Sequence, residues 1–399
     1  VKILQLCHRV PYPFLDGGNI AMYQIGKSLA AEGHDLKILA LNTRKHYVSP
    51  KTLPAWFTEK CSLESVDIDT SVKPQGVLLN LFQTSSYNIT RFYSAAFGQK
   101  LAEVLSHQPF DIIQLESLFM TPYLDVIRKH SKAKVVMRAH NAEHVIWQRL
   151  ADSEKPGWRK WYYRLLVNRL KKYETQTLNN LDAILAITPD DEKIFRIMGF
   201  NGPVAVVPVS IDLPGSRTTA NTFEKLCLFH LGSMDWLPNI EGVNWFLSEC
   251  WPLINREHPN LKLFLAGRGF PDSIRRKKMA NVICEGEIVD AAAYMDDKPI
   301  MIVPLLSGSG MRVKIIQGMA AGKVILSTSI GAEGIECLNG KNILIADTPE
   351  QMAEAVRYCL ANKEALASIS REAQQLVADK YSVKAIGEKL DGFYKKLIS

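Results

Sequence analysis

The chain has 399 residues. A single hydrophobic core stops growing near ~250–300 residues, so two domains are expected. Its 47% hydrophobic and 22% charged residues are ordinary for a globular protein, and no apolar run reaches the ~18–20 residues that cross a bilayer. The net charge of +7 lies wholly in the first half: 26 Lys and Arg against 19 Asp and Glu over residues 1–210, and 22 against 22 over 211–399. An anionic partner there is one reading and a solubilising surface the other.

Seven cysteines are scattered singly, with no Cys-x-x-Cys pair. That argues against a disulfide framework and a structural zinc site, and fits a reducing compartment. No signal-peptide pattern stands at Val1 to Leu6, and a cytoplasmic location is expected.

Short apolar runs alternate with helical patterns. Strands are expected at Lys2–Leu6, Leu36–Leu41, Ile112–Leu115, Val135–Arg138, Ala183–Ile187 and Val204–Val207, and a helix at Asn19–Glu32 closed by Gly33. The stretch from about Thr43 to Gln83 is irregular and reads as an excursion at a sheet edge. A polar linker, Asp212–Asn221, follows. The pattern restarts with strands at Leu226–Leu231, Leu261–Ala266, Val282–Glu285, Ile300–Val303, Val324–Ser327 and Asn342–Ile345, and ends in a helix at about Ser382–Leu397. Such alternation predicts an α/β protein with two Rossmann-like, doubly wound parallel sheets.

After the first strand, Gly17-Gly18 opens a helix. Two glycines admit a ligand close to the backbone, and N–H groups at a helix start suit a phosphate or a sugar hydroxyl; a plain tight turn reads equally well. The dinucleotide pattern Gly-x-Gly-x-x-Gly is absent here. In the second half, the strand at Ile300–Val303 runs into Ser307-Gly308-Ser309-Gly310 and a helix whose first turn carries Arg312 and Lys314. Cations are disfavoured at a helix N-terminus, so two of them there make sense if an anion docks between them, as a diphosphate would. At a strand end of the first half, Arg138-Ala139-His140-Asn141-Ala142-Glu143-His144 concentrates polar groups where open α/β sheets bind ligands.

The second glycine turn resembles the donor-binding signature of family 4 glycosyltransferases, retaining enzymes of GT-B fold. The Gly17-Gly18 loop, the His140 loop, Gly232 to Asn239, Ala266 to Gly269, Glu285 to Asp290 and Gly331 to Ile335 follow in the order of that family. The resemblance implies an acceptor-side domain over 1–210, a nucleotide-sugar domain over 211–380, and a helix over 381–399 that crosses back, with the active site in the cleft between the domains. It implies His140 near the reacting carbon, with Arg312 and Lys314 receiving the leaving diphosphate. It places Gly17, Gly18, Gly232, Arg268, Glu285, Gly308, Ser309, Gly310, Met311 and Gln317 around the donor. Glu143 and His144 then orient His140 or meet the acceptor. The implied donor is a UDP- or GDP-sugar, with a glycan or lipid-linked acceptor, no cofactor and no essential metal. The setting expected is cell-surface polysaccharide or glycolipid synthesis.

Two departures stand out. Many relatives carry two glutamates eight residues apart where this chain has Ser309 and Gln317. Many also place an Arg and a Lys in the loop that is here Ser233 to Asn239, which has neither. Arg312, Lys314 and Arg268 are the candidates to replace them. The missing glutamate motivates a second reading, a nucleotide-sugar-binding subunit with little catalysis of its own. Lys155–Lys172 holds seven Lys or Arg, no acid and four aromatics. It reads either as a peripheral contact with an anionic membrane or as a helix packed on the sheet. No nucleic-acid-binding module is recognisable.

Overall fold

A computed structural model describes residues 1–14, 17–71, 87–213, 223–308 and 310–399. The chain divides into two units, Val1–Ser210 with Ile386–Ser399, and Ile211–Ala385. Among the described residues, unit 1 contributes β1 Lys2–Cys7, β2 Asp35–Thr43, β3 Leu63–Ile68, β4 Ile112–Glu116, β5 Lys134–Ala139, β6 Ala183–Ala186 and β7 Val204–Val206. They pair in parallel in the order β3-β2-β1-β4-β5-β6-β7.

The two-residue period of a strand feeds two cores in this unit. Leu4, Leu6, Ile113, Leu115, Val135 and Met137 face one, which the helix Ala95–His107 covers with Phe97 and Leu101. Ile3, Cys7, Ile112 and Val136 face the other, which receives Met22 and Ile25 of the helix Gly17–Ala31. Ile386, Leu390 and Tyr394 of the helix Val383–Ile398 fill that second core as well.

Unit 2 contributes β8 Leu228–Leu231, β9 Leu263–Ala266, β10 Val282–Gly286, β11 Ile300–Val303, β12 Val324–Ser327 and β13 Leu344–Ile345. These are also all parallel, in the order β10-β9-β8-β11-β12-β13. Their core gathers Leu263, Leu265, Ile302 and Leu326 with Trp251, Met352 and Leu366. In each sheet the strand order reverses once: between β1 and β4 in unit 1, and between β8 and β11 in unit 2. At such a reversal the flanking loops part and leave a crevice at the carboxyl ends of the strands.

The irregular stretch after Thr43 contains β3, an edge strand paired with β2. Its residues Leu63–Ile68 are only partly buried and mix acids with aliphatics, so the apolar run that marks a central strand is missing. Residues 72–86 and 214–222, the latter including 214–221 of the expected linker, lie outside the described residues. Among the described residues no helix is long and apolar enough to cross a membrane.

The returning helix is a stability element of unit 1, because Leu390 is fully buried. Leu390→Ala is expected to lower the unfolding free energy by about 2–5 kcal/mol. Urea denaturation checks this, and an unchanged midpoint would show that the helix packs too loosely to matter.

Candidate functional site

At the β8/β11 reversal the chain brings the second glycine turn and its helix beside the loop Gly232 to Asn239. The helix after β11 spans Val313–Ala320, so Arg312 is its N-cap rather than a first-turn residue, and Lys314 is its second residue. The Lys314 Nζ donates to Asn239 Oδ1 at 2.8 Å. A Cβ placed on Gly232 would lie 2.9 Å from that Nζ and 3.1 Å from His230 Nε2, so a side chain there would have to displace the lysine head. The Arg312 guanidinium stacks over Trp236 at 5.1 Å. Gly308 has φ +121°, and a Cβ there would stand 2.6 Å from Arg312 Nη2.

The electrostatics of this cluster are one-sided. Lys314 bonds to a neutral amide oxygen. Burial, and then the charge of Arg312, push its ammonium down to about 7. The fully buried His230 donates Nδ1–H to Ile302 O at 3.0 Å, and its Nε2 has no hydrogen-bond partner. Burial and the nearby Lys314 hold it neutral, well below the ordinary imidazole range. An anion at the start of this helix would meet backbone N–H groups, Arg312 and Lys314 together.

The other donor candidates spread along the sheet edge. Arg268, after β9, donates from Nε to Asp235 Oδ2 at 2.8 Å and stays exposed. Gln317 stands three residues beyond Lys314, on the neighbouring helical position. Glu285 is exposed on β10, three strands from β11, or about 14 Å along the sheet, and is not part of the Arg312–Lys314 group. Gly310 has φ +79°, Met311 is half-buried, and Ser309 lies outside the described residues.

Unit 1 builds a second cluster next to its own reversal. His140 follows β5, and its Nε2 lies 2.8 Å from Glu116 Oε2 at the end of β4. Arg138 Nη1 donates to the same oxygen at 3.2 Å. His8, after β1, donates Nδ1–H to Glu116 O at 3.0 Å, and its ring meets that of His140 edge to face at 6.0 Å. Burial, then His140 and Arg9, lower His8 to about 3, so it is neutral at physiological pH. Gly17 and Gly18 open the helix Gly17–Ala31 in the same unit.

Glu143 and His144 do not hold His140. Their backbone N–H groups donate to the buried Glu174 at 3.0 and 3.2 Å, and His144 Nδ1 lies 2.7 Å from it. Glu174 thus satisfies the start of the helix Glu143–Ser153. Burial and the Glu174 carboxylate push Glu143 up to about 8, which leaves it protonated at neutral pH. The sequence reading missed Glu116, His8, Glu174, His230 and Trp236. Among the described residues no group of three or more His, Cys, Asp or Glu is placed to hold a metal ion.

Comparison with known proteins adds to this geometry. Residues 15–214 match the family described as Glycosyltransferase Family 4, and residues 225–362 match Glycosyl transferases group 1. An uncharacterized 44.6 kDa protein in the cps region of Klebsiella pneumoniae is 22% identical over 398 residues, covering 96% of this chain and 97% of the relative. Among solved structures, sucrose-phosphate synthase from Thermosynechococcus elongatus aligns with TM-score 0.72 at 16% identity, over 100% of this chain and 99% of that one. Anabaena HepE in complex with UDP-glucose aligns with TM-score 0.62 at 12% identity, over 99% of each chain. A variant of S. aureus TarM, bound to fondaparinux, α-GlcNAc-glycerol and UDP, aligns with TM-score 0.68 at 12% identity, over 98% of this chain and 99% of that one. At these identities the structures show a shared GT-B fold.

Lys314 gives the site a measurable signature. Its folded pKa is depressed to about 7. Below that pH a buried ammonium opposes folding, and the penalty fades as pH rises toward the unfolded value of about 10.4. Lys314→Met is therefore expected to raise the thermal midpoint near pH 6 and to leave a smaller gain near pH 9. A midpoint that falls at both pH values would show that the ammonium stabilises the fold.

Proposed function

Since the chain belongs to glycosyltransferase family 4, we propose that it moves a sugar from a nucleotide-diphospho-sugar to an acceptor hydroxyl, with retention at the transferred carbon. The observation that carries the proposal is the group formed by Gly308, Arg312 and Lys314, a cationic helix start whose lysine, among the described residues, donates to a neutral amide oxygen. The diphosphate of a UDP- or GDP-sugar supplies the missing negative charge. As the sugar leaves its donor, charge builds on the diphosphate, and Arg312 and Lys314 stabilise it without a metal ion. Gln317 contacts the ribose as a neutral acceptor. His140 faces the transferred sugar, as the family resemblance implies. Glu143, protonated at neutral pH, is suited to donate a hydrogen bond to the acceptor.

The setting proposed is cell-surface polysaccharide or glycolipid synthesis, at the cytoplasmic face of a membrane. The Klebsiella relative in a cps region supports it. So does the helix Trp158–Leu178, which buries Leu166, Val167 and Leu170 while Trp158 and Trp161 are 76% and 64% exposed. Arg159 and Arg164 are exposed beside them. Indoles flanked by cations are the composition that settles at an anionic headgroup layer.

Two measurements test these proposals. Purified protein is incubated with UDP- and GDP-sugars, with and without lipid-linked or glycan acceptors, and released nucleoside diphosphate is followed. Turnover is expected with one donor, and Arg312→Ala should weaken binding of its nucleoside diphosphate by about 1.5–3 kcal/mol. Tight binding without turnover would favour the binding-subunit reading. Separately, the protein should sediment with anionic but not neutral vesicles at low salt. Glu at both 159 and 164 should abolish this without changing donor binding. Wild-type protein that stays in the supernatant would make the exposed tryptophans a surface for something other than lipid.

A further inference from the structure

Strands buried on both faces are expected to be apolar, yet β1, β4 and β5 carry Gln5, Gln114, Glu116 and Arg138 on the face beneath the returning helix, all fully buried. The register sets Gln5 opposite Gln114, and Glu116 opposite Arg138. Glu116 Oε1 accepts from Gln5 Nε2 at 2.9 Å and from Gln114 Nε2 at 2.5 Å. Glu116 Oε2 accepts from Arg138 Nη1 and faces His140 Nε2 at 2.8 Å. The Tyr394 hydroxyl donates to Gln114 Oε1, which turns the amide nitrogen of Gln114 toward the carboxylate. All four lone-pair positions of the carboxylate are engaged.

That arrangement decides where the imidazole keeps its proton. An unprotonated Nε2 could accept from Arg138 Nη1 at 3.2 Å, but its lone pair would then face the nearer carboxylate oxygen at 2.8 Å, a repulsive contact, while Arg138 Nη1 already has that oxygen as its acceptor. Nε2 therefore carries the proton. A second proton would add a cation beside Arg138 and Arg9, near the His8 ring, while Arg138 already balances the one nearby negative charge. Burial opposes charge on both partners. For Glu116, Arg138 and the donated hydrogen bonds outweigh it and keep the carboxyl below its ordinary range. For His140, burial prevails and lowers the imidazole.

We propose that Glu116 is a positioning residue that locks His140 in the neutral Nε2–H tautomer, held in place by Arg138, Gln5 and the Gln114–Tyr394 pair, so that Nδ1 is the ring's acceptor. The inference rests on the transferase reading for the role of His140, but the tautomer is a property of the ligand-free chain. It also gives the returning helix a place in the site, since Tyr394 reaches His140 through three successive hydrogen bonds, by way of Gln114 and the carboxylate.

Nitrogen-15 spectra of histidine-labelled, ligand-free full-length protein test it, with His140 assigned by the signals lost in His140→Asn. The expected result is Nε2 in the protonated range and Nδ1 in the unprotonated range, unchanged from about pH 8 to about pH 6 although free imidazole titrates there. A proton on Nδ1, or titration near the ordinary value, overturns the proposal. Glu116→Leu alone would strand Arg138 as a buried unpaired charge, so Glu116→Leu/Arg138→Met removes both partners. The double variant should show mixed tautomers and turnover lower by roughly a hundredfold, with nucleoside diphosphate affinity unchanged. A double variant that keeps the pure Nε2–H tautomer also overturns it. The two readings fail separately: an inactive wild type with the expected spectrum condemns the transferase reading alone, and an active wild type with the other tautomer condemns this inference alone.

Discussion

Parallel sheets covered on both faces constrain everything else in this protein. Their strand residues are sealed between helices, so polar chemistry can reach a ligand only where the strands end. His8, Glu116 and His140 follow from that in unit 1, and Gly232, Arg312 and Lys314 in unit 2. Each group stands at or next to the point where its sheet reverses strand order.

The two units treat buried charge in opposite ways. In unit 1 the carboxylate of Glu116 is surrounded by donors and matched by Arg138, so its own acceptor positions are filled from within the unit. A carboxylate held by several donors at once has little freedom to turn, which suits a group that must hold an imidazole in one orientation. In unit 2 Lys314 is half-buried against a neutral amide and beside a second cation, at a cost to the fold. Such a cost is characteristic of binding sites, where an incoming ligand relieves what the empty site bears. The saturated carboxylate fits geometry that must not move, and the lysine with a neutral acceptor fits the anion site proposed for it.

Much of this was legible in the sequence because it depends on local pattern. The β/α alternation located the central strands of both units to within a few residues, and the Ser307 to Lys314 turn stood out because cations at a helix start are locally unfavourable. What escaped depends on register between distant strands. Glu116 and Arg138 are 22 residues apart, and nothing in Ile112-Ile113-Gln114-Leu115-Glu116 says which neighbour will stand opposite. A signal was nevertheless present: Gln5, Gln114, Glu116 and Arg138 are polar residues in strands that should be apolar on both faces. Glu143 and His144 were adjacent in sequence to His140 and so drew attention, but Glu174, on a separate helix, engages them instead. His230 was hidden within an otherwise apolar strand, and β3 by its half-exposed edge.

The proposed function places the diphosphate of a nucleotide sugar at the turn that carries Gly308, Arg312 and Lys314. Hydrogen–deuterium exchange with and without a saturating nucleotide sugar tests it most directly, because bound phosphate oxygens accept hydrogen bonds from the backbone N–H groups whose exchange is measured. The account predicts slowed exchange across peptides covering residues 305–316, and the same protection with the nucleoside diphosphate alone. Protection confined to other segments, with residues 305–316 exchanging as in the ligand-free protein, would contradict it.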